Sequence, residues 1–289
     1  MSFRTVVVSN KAKLSYKNNY LVVKKEDDET YVHMSEIDTV IIDSIAVSIT
    51  SYSLLELIKN KINVIFCNEK RNPYAQLVPF YNNYNVSKKI LLQTKWTKKI
   101  KNEMWQKIII NKITNQALLL IKLKKKNSDI LLKYSNEVCL GDKTNREGHA
   151  AKVYFNSLFG NDFSRTQVND INAALNYGYA IILSALNKEI TNNGYTTCLG
   201  INHHNDYNYY NLTCDFMEPL RIIIDEFVYH NQKREFNKDY KMDLVNLLNH
   251  KFKYQNKELF LTDLIKLYVR NIFKCIENND VDNYVKVII

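Results

Sequence analysis

Thr144-Asn145-Arg146-Glu147-Gly148-His149-Ala150-Ala151-Lys152-Val153-Tyr154-Phe155 reads as the first turns of a helix. Thr144 with Glu147 three residues on is the pattern of a capping box, in which hydroxyl and carboxylate satisfy each other's free backbone N–H groups. Ala150, Ala151, Tyr154 and Leu158 recur at helical spacing and predict an inward-packing face. Glu147 lies one turn ahead of that face. Two readings are open for it: the far half of the capping box, or a carboxylate turned into the interior from the first turn of a buried helix.

Upstream, residues 1–80 have a different grammar. Val6-Val7-Val8, Lys13 to Tyr16, Tyr20 to Val23, Tyr31 to Met34, Val40 to Ile42, Ala46 to Ile49 and Ile62 to Phe66 are short β-branched or aromatic runs separated by polar turns. Such spacing predicts a small β-sandwich. One helix interrupts it, capped by Ser51 or Ser53 and carrying Leu54, Leu55, Leu57 and Ile58. Asn72-Pro73 breaks the last of these strands, and Leu77 to Phe80 reads as an edge strand. Tyr81-Asn82-Asn83-Tyr84-Asn85 marks the switch to a helical pattern. The fold class is therefore α+β: an N-terminal β-sandwich-like domain over 1–80, a linker over 81–85 and an all-α domain over 86–289. Beyond Tyr229 the pattern predicts two more helices, about Asp239 to Leu248 and Leu259 to Cys275.

The chain has 289 residues, enough for two domains, and 46% of them are hydrophobic. No run approaches the roughly 18 apolar residues of a membrane span. Five widely spaced cysteines without a CxxC pair argue against a disulfide framework or a zinc site. The N-terminus lacks a signal-peptide layout, so a reduced, cytoplasmic protein is expected, with no membrane association. Formal net charge is +10, and it is concentrated. Between Val86 and Lys126 stand twelve lysines, Lys88, Lys89, Lys95, Lys98 and Lys99 among them, against one acid, Glu103. The apolar stripe of the same segment, with Trp96 and Trp105, predicts one long basic helix starting at Ser87. A lysine-rich solvated face is one reading. The near absence of acids favours a surface for a phosphate backbone, with the tryptophans as core anchors rather than base-stacking platforms.

Downstream of the opening stretch, Asn172, Asn176 and Tyr179 form a polar row on a predicted helix from Asp170 to about Lys188. A buried network that orients other side chains is the preferred reading. Gly200-Ile201-Asn202-His203-His204 is a glycine loop with adjacent histidines. Asp215 and Glu218 follow at i, i+3, with Pro219 starting or kinking a helix. Glu147, one of the two histidines, Glu218 and the nearby Asp215 make an oxygen-rich donor set with one imidazole. That set suits Mg2+ or Mn2+ better than Zn2+, and a hard ion beside a basic segment suits phosphoryl transfer.

Four of these segments in this order, Arg146 to Tyr154, Asn172 to Tyr179, Leu199 to His203 and Cys214 to Arg221, resemble the CRISPR-associated spacer-acquisition integrase family, with wording around His203 and Glu218 similar to its type II-A branch. The resemblance covers essentially the whole chain. It implies a β-sandwich, used for dimerisation, joined to a helical catalytic domain. It implies a catalytic metal triad of Glu147, His203 (third after Gly200) and Glu218, where many members have aspartate. It further implies a metal-dependent DNA endonuclease and integrase acting on prespacer and CRISPR repeat DNA. The implied partners are a second copy of the chain, a small companion adaptation protein, the type II effector nuclease and a ring-forming accessory protein. Arg146 and the lysines at 88, 89, 95, 98 and 99 are candidate DNA contacts; Asn172, Asn176 and Asp215 are candidate supports. The competing expectation is a non-catalytic basic DNA-binding scaffold.

Overall fold

The computed structural model describes residues 4–26, 28–79, 85–254 and 257–288. The N-terminal strands are β1 (Arg4–Val8), β2 (Ala12–Lys17), β3 (Tyr20–Lys24), β4 (Glu29–His33), β5 (Ile37–Ile42), β6 (Val47–Ile49), β7 (Asn63–Cys67) and β8 (Pro73–Gln76). They make two four-stranded sheets, ordered β1-β5-β7-β8 and β4-β3-β2-β6. Asn18 and Asn19 both have positive φ, the left-handed turn that joins β2 to β3 in register. Helix α1 (Ser51–Lys59) starts at Thr50, whose hydroxyl accepts from the Ser53 backbone N–H. Neither Ser51 nor Ser53 is the cap. The edge strand also falls earlier than expected: Pro73 opens β8 rather than breaking the sheet, as a residue without N–H can at the start of an edge strand. Leu77, Val78 and Pro79 are not in a strand, and Phe80 lies outside the described residues.

The sheet β1-β5-β7-β8 is covered on both faces. Val40, Ile42 and Val64 pack with Leu14, Leu21 and Leu57 inside the sandwich. Ile41, Ile65 and Cys67, on the alternate face, belong to the core of the helical region. That is why β5 is buried along its whole length, its polar Asp38 and Thr39 included. Polar contacts lock the seam: Asn63 and Gln76 reach Ser184, and Lys188 pairs with Asp38 at 2.6 Å.

Tyr81 to Tyr84 of the predicted linker are outside the described residues. The helices that follow are α2 (Val86–Thr94), α3 (Lys98–Lys122), α4 (Ser128–Glu137), α5 (Arg146–Phe159), α6 (Asp170–Asn192), α7 (Asn211–Met217), α8 (Arg221–Asn231), α9 (Lys238–Asn246) and α10 (Leu261–Glu277). The single basic helix expected from Ser87 is two helices. Thr97 caps α3 by accepting from the Ile100 N–H, and the buried Gln93 of α2 bonds Thr196 and Leu199 of a distant loop. Helix α3 is the axis of the region, with Met104, Trp105, Ile108, Ile109, Ile113, Ala117 and Leu120 all buried. Between α9 and α10 the helical region carries one antiparallel hairpin, β9 (Lys251–Tyr254) with β10 (Lys257–Phe260). The chain after Asn278 is tied down: Asn111 of α3 accepts from the Tyr284 hydroxyl and the Val287 N–H and donates to the Val287 carbonyl.

Candidate active site

The start of α5 does not use the predicted capping box. Asn145, in the left-handed region (φ 52°), is the cap, and its side chain accepts from the Gly148 N–H at 3.2 Å. The buried Asp142 accepts from the Arg146 and Glu147 N–H groups at 2.8 and 3.0 Å. Thr144 instead faces Cys139. The helix N-terminus is thus satisfied without the Glu147 side chain, which is free to reach inward.

It reaches Lys112, in the middle of α3. The ammonium lies 2.6 Å from Glu147 Oε1 and 2.6 Å from Glu218 Oε2, with the lysine side chain 9% exposed and that of Glu218 4%. Glu218 sits in a 3₁₀ turn, Glu218–Leu220, that joins α7 to α8 with Pro219 at its start. Arg221, at the head of α8, clamps the same carboxylate with two parallel bonds at 3.0 and 3.1 Å. Burial alone would push the Glu218 carboxyl up; Arg221 and Lys112 outweigh it and hold it at about 2. Burial likewise opposes the charge on Lys112, and the two glutamates more than restore it, raising its pKa.

His203 is oriented from behind. Its Nδ1 is 2.6 Å from Asp215 Oδ1. Asp215 is fully buried on α7 and accepts the backbone N–H groups of Ile201, Asn202 and His203 at 2.6, 3.1 and 3.1 Å. The loop can wrap this tightly only at a glycine: a Cβ on Gly200 would lie 2.3 Å from the His203 carbonyl oxygen and 2.8 Å from Asp215 Oδ2. The Asp215 bond raises the His203 pKa against burial, and Glu218 and Glu147 add to it. With Nδ1 engaged, Nε2 is the nitrogen left to meet a ligand. Trp105, two turns before Lys112 on α3, sets its ring edge-on to the imidazole at 5.8 Å. His204 is exposed and lines a neighbouring cleft of about 540 Å³.

Two carboxylates and an imidazole fit a hard divalent ion in donor chemistry, and the Lys112 ammonium stands as a cation between the two carboxylates. Among the described residues no three His, Cys, Asp or Glu side chains form a ready-made metal cage.

The remaining predicted residues divide. Asn172 and Asn176 both accept from the Arg165 guanidinium, not from the acidic centre. Their network does lead there: Arg165 and Arg221 lie 5.5 and 4.7 Å from the Tyr179 ring, and the Tyr179 hydroxyl bonds the buried Asp225. Arg146 pairs with Glu137 at 2.9 Å and lies over Tyr134. Lys88, Lys95 and Lys98 are exposed; Lys89 pairs with Glu277 and Lys99 faces Glu103 at 3.8 Å. Lys88, Lys89, Lys95 and Trp96 line a cleft of about 470 Å³. Sequence reading counted Lys112 only among the basic residues and gave Arg221 no role. The available signal was a lone lysine at an inward position of the α3 stripe, between Ile109 and Ile113.

The sequence profile described as "CRISPR associated protein Cas1" matches residues 5–254. The chain belongs to this Cas1 family. A CRISPR-associated endonuclease Cas1 from Neisseria meningitidis serogroup C is 31% identical over 266 residues, covering 89% of this chain and 86% of that protein. Among solved structures similar in fold, a casposase bound to integration product has a TM-score of 0.76 at 19% identity and is covered over 92% of its length, as is 97% of this chain. A Cas6-RT-Cas1–Cas2 complex has a TM-score of 0.77 at 18% identity; 98% of this chain aligns, spanning 36% of that longer chain. Glu147, His203 and Glu218, and the Lys112 and Asp215 side chains that contact them, all fall within the matched span of residues 5–254.

Proposed function

We propose that the chain is a divalent-metal-dependent DNA endonuclease and integrase of CRISPR adaptation, joining prespacer DNA to the CRISPR repeat by transesterification. The observation that carries this is the convergence of Glu147 and Glu218 on one cation position in a Cas1-family chain that also presents an oriented His203. The names of similar proteins support the chemistry: one is an endonuclease, another is seen with an integration product. Glu147, His203 through Nε2, and Glu218 are the residues that would hold Mg2+ or Mn2+, which when bound polarises the scissile phosphate and stabilises charge on the attacking and leaving oxygens.

A prespacer 3′-hydroxyl attacks the repeat phosphorus; a new P–O bond forms, the bond to the leaving 3′-oxygen breaks, and the proton passes to that oxygen through solvent. One phosphodiester replaces another, so no covalent protein intermediate is needed. Asp215 positions His203, and Arg221 keeps Glu218 charged. Exposed lysines of α2 and α3, with Arg146, hold phosphates without reading sequence. The chain works in the cytoplasm as a homodimer through its β domain, together with a small companion adaptation protein of the kind present in the Cas1–Cas2 complex. The effector nuclease and a ring-forming accessory protein are further partners. No helix among the described residues is long and apolar enough to cross a membrane.

The test is strand transfer of a duplex with free 3′-hydroxyls into a supercoiled plasmid bearing the repeat, with Mn2+. Glu147→Gln is expected to lower the rate by about 100-fold or more. A scaffold without catalytic function would show no strand transfer and metal-independent DNA affinity. Undiminished transfer in the variant would end the metal assignment.

A further inference from the structure

Lys112 is an odd residue for its place. It lies on the buried side of α3 between the fully buried Ile109 and Ile113, and an ammonium there is costly unless paired. Its pairing is also more than Glu218 needs, because Arg221 already grips that carboxylate with two bonds. The partner that depends on Lys112 is Glu147, whose carboxylate is bonded at 2.6 Å to this ammonium while the N-terminus of α5 is capped by Asn145 and Asp142. Two cations then face two carboxylates, and the centre is neutral as it stands. A divalent ion entering between Glu147 and Glu218 would meet the ammonium at close range, with strong like-charge repulsion in a buried site. Both cannot use the same oxygens. Glu147, with its side chain 29% exposed against 4% for Glu218, marks the open side through which a flexible four-carbon stem can withdraw.

We propose that Lys112 is a built-in counter-cation: it holds Glu147 and Glu218 assembled in the metal-free protein and is displaced when the divalent ion binds. This rests on the reading that these two glutamates are metal ligands. The lysine therefore stabilises the resting protein and weakens its affinity for the ion, so that the ion's net binding measures the difference between the two cations.

The experiment is direct binding of Mn2+, with no DNA and no turnover, read by the electron paramagnetic resonance signal of the free ion, for the wild-type chain and Lys112→Met. The variant is expected to bind Mn2+ on the order of tenfold more tightly. It should melt at lower temperature than wild type without the ion and recover more of its melting temperature when the ion is added. Equal or weaker Mn2+ binding by a folded Lys112→Met overturns the inference while leaving the metal reading intact. Absence of Mn2+ binding in both proteins overturns both. Should the variant not fold, reductive methylation of wild-type lysines followed by mass spectrometry decides the matter. Lys112 is expected to be protected without Mn2+ and to react several-fold faster at saturating Mn2+; unchanged protection overturns displacement.

Discussion

Glu147 shows how one residue's meaning depends on groups far from it in sequence. Its position three after Thr144 is what a capping box requires, yet Asn145 and Asp142 satisfy the N-terminus of α5 and release it toward Lys112. Asn145 can do so because asparagine tolerates the left-handed backbone that a threonine cap would not need. Glu218 has the opposite character: it is locked by two cations. Glu218→Gln removes one member of a buried ionic cluster and leaves Arg221 and Lys112 undercompensated, a loss of about 3–5 kcal/mol. Because the folded carboxyl is held at about 2, below its ordinary 4.5, the stabilisation is complete above about pH 4.5. It is lost as pH falls toward 2. Thermal melts without divalent ion should show wild type well above the variant at pH 7, with the gap narrowing below pH 4.5. A constant gap would mean that charge on Glu218 is not its source. The acidic members of this centre were legible in the sequence through their motifs. Its cationic members were harder to read: the inward register of Lys112 between Ile109 and Ile113 is a sign of burial, but the carboxylates it meets are set only when α3 packs against α5 and α7.

At the scale of elements, His203 is held by a loop and a helix acting together. The loop from Cys198 to Asn205 closes on Asp215 of α7 through three N–H groups, an anion nest that also receives the His203 ring. Gly200→Ala would push a Cβ into the His203 carbonyl and Asp215. It is expected to displace His203 and cost about 10- to 100-fold in Mn2+ affinity, the range typical of lost support around a metal ligand. The far-UV spectrum should be unchanged, since the affected segment is a loop. Wild-type Mn2+ affinity in Gly200→Ala would show that loop closure does not set the histidine. The glycine and histidine were visible as a motif and Asp215 as a candidate support; that His203 is the side chain it supports emerges only from the folded loop. Helix types read well where the apolar period was long, as in α6 and α10. They read poorly at 95–97, where the stripe continues in sequence but the Thr97 cap and the Gln93 side chain divide the helix.

At the scale of the whole molecule, the sheet shared by two cores makes the β unit and the helices mechanically dependent. Ile65, on β7, is buried in the helical core while its neighbour Val64 packs inside the sandwich. Ile65→Ala should cost about 2–5 kcal/mol. Tryptophan fluorescence, which reports only the helical region through Trp96 and Trp105, and far-UV circular dichroism should shift to the same lower midpoint; separate midpoints would show that the halves unfold independently. The basic segment, in contrast, acts through charge that remains available. Several of its lysines are paired within the chain: Lys89 with Glu277, Lys107 with Asp282, Lys112 with the glutamate pair and Lys122 with Glu226. Lys88, Lys95 and Lys98 stay exposed on α2, its C-terminal end and the start of α3. Counterion release makes the logarithm of DNA affinity fall with the logarithm of salt by roughly 0.9 per neutralised phosphate. The triple substitution Lys88→Ala, Lys95→Ala, Lys98→Ala should therefore flatten that slope by roughly 2 to 3 for a blunt duplex, in filter or anisotropy titrations across salt. Lys89→Ala and Lys99→Ala, whose ammonium groups face Glu277 and Glu103, should change it by less than roughly 1 each. An unchanged slope in the triple variant would move the DNA surface away from α2 and the start of α3, whatever the effect on strand transfer.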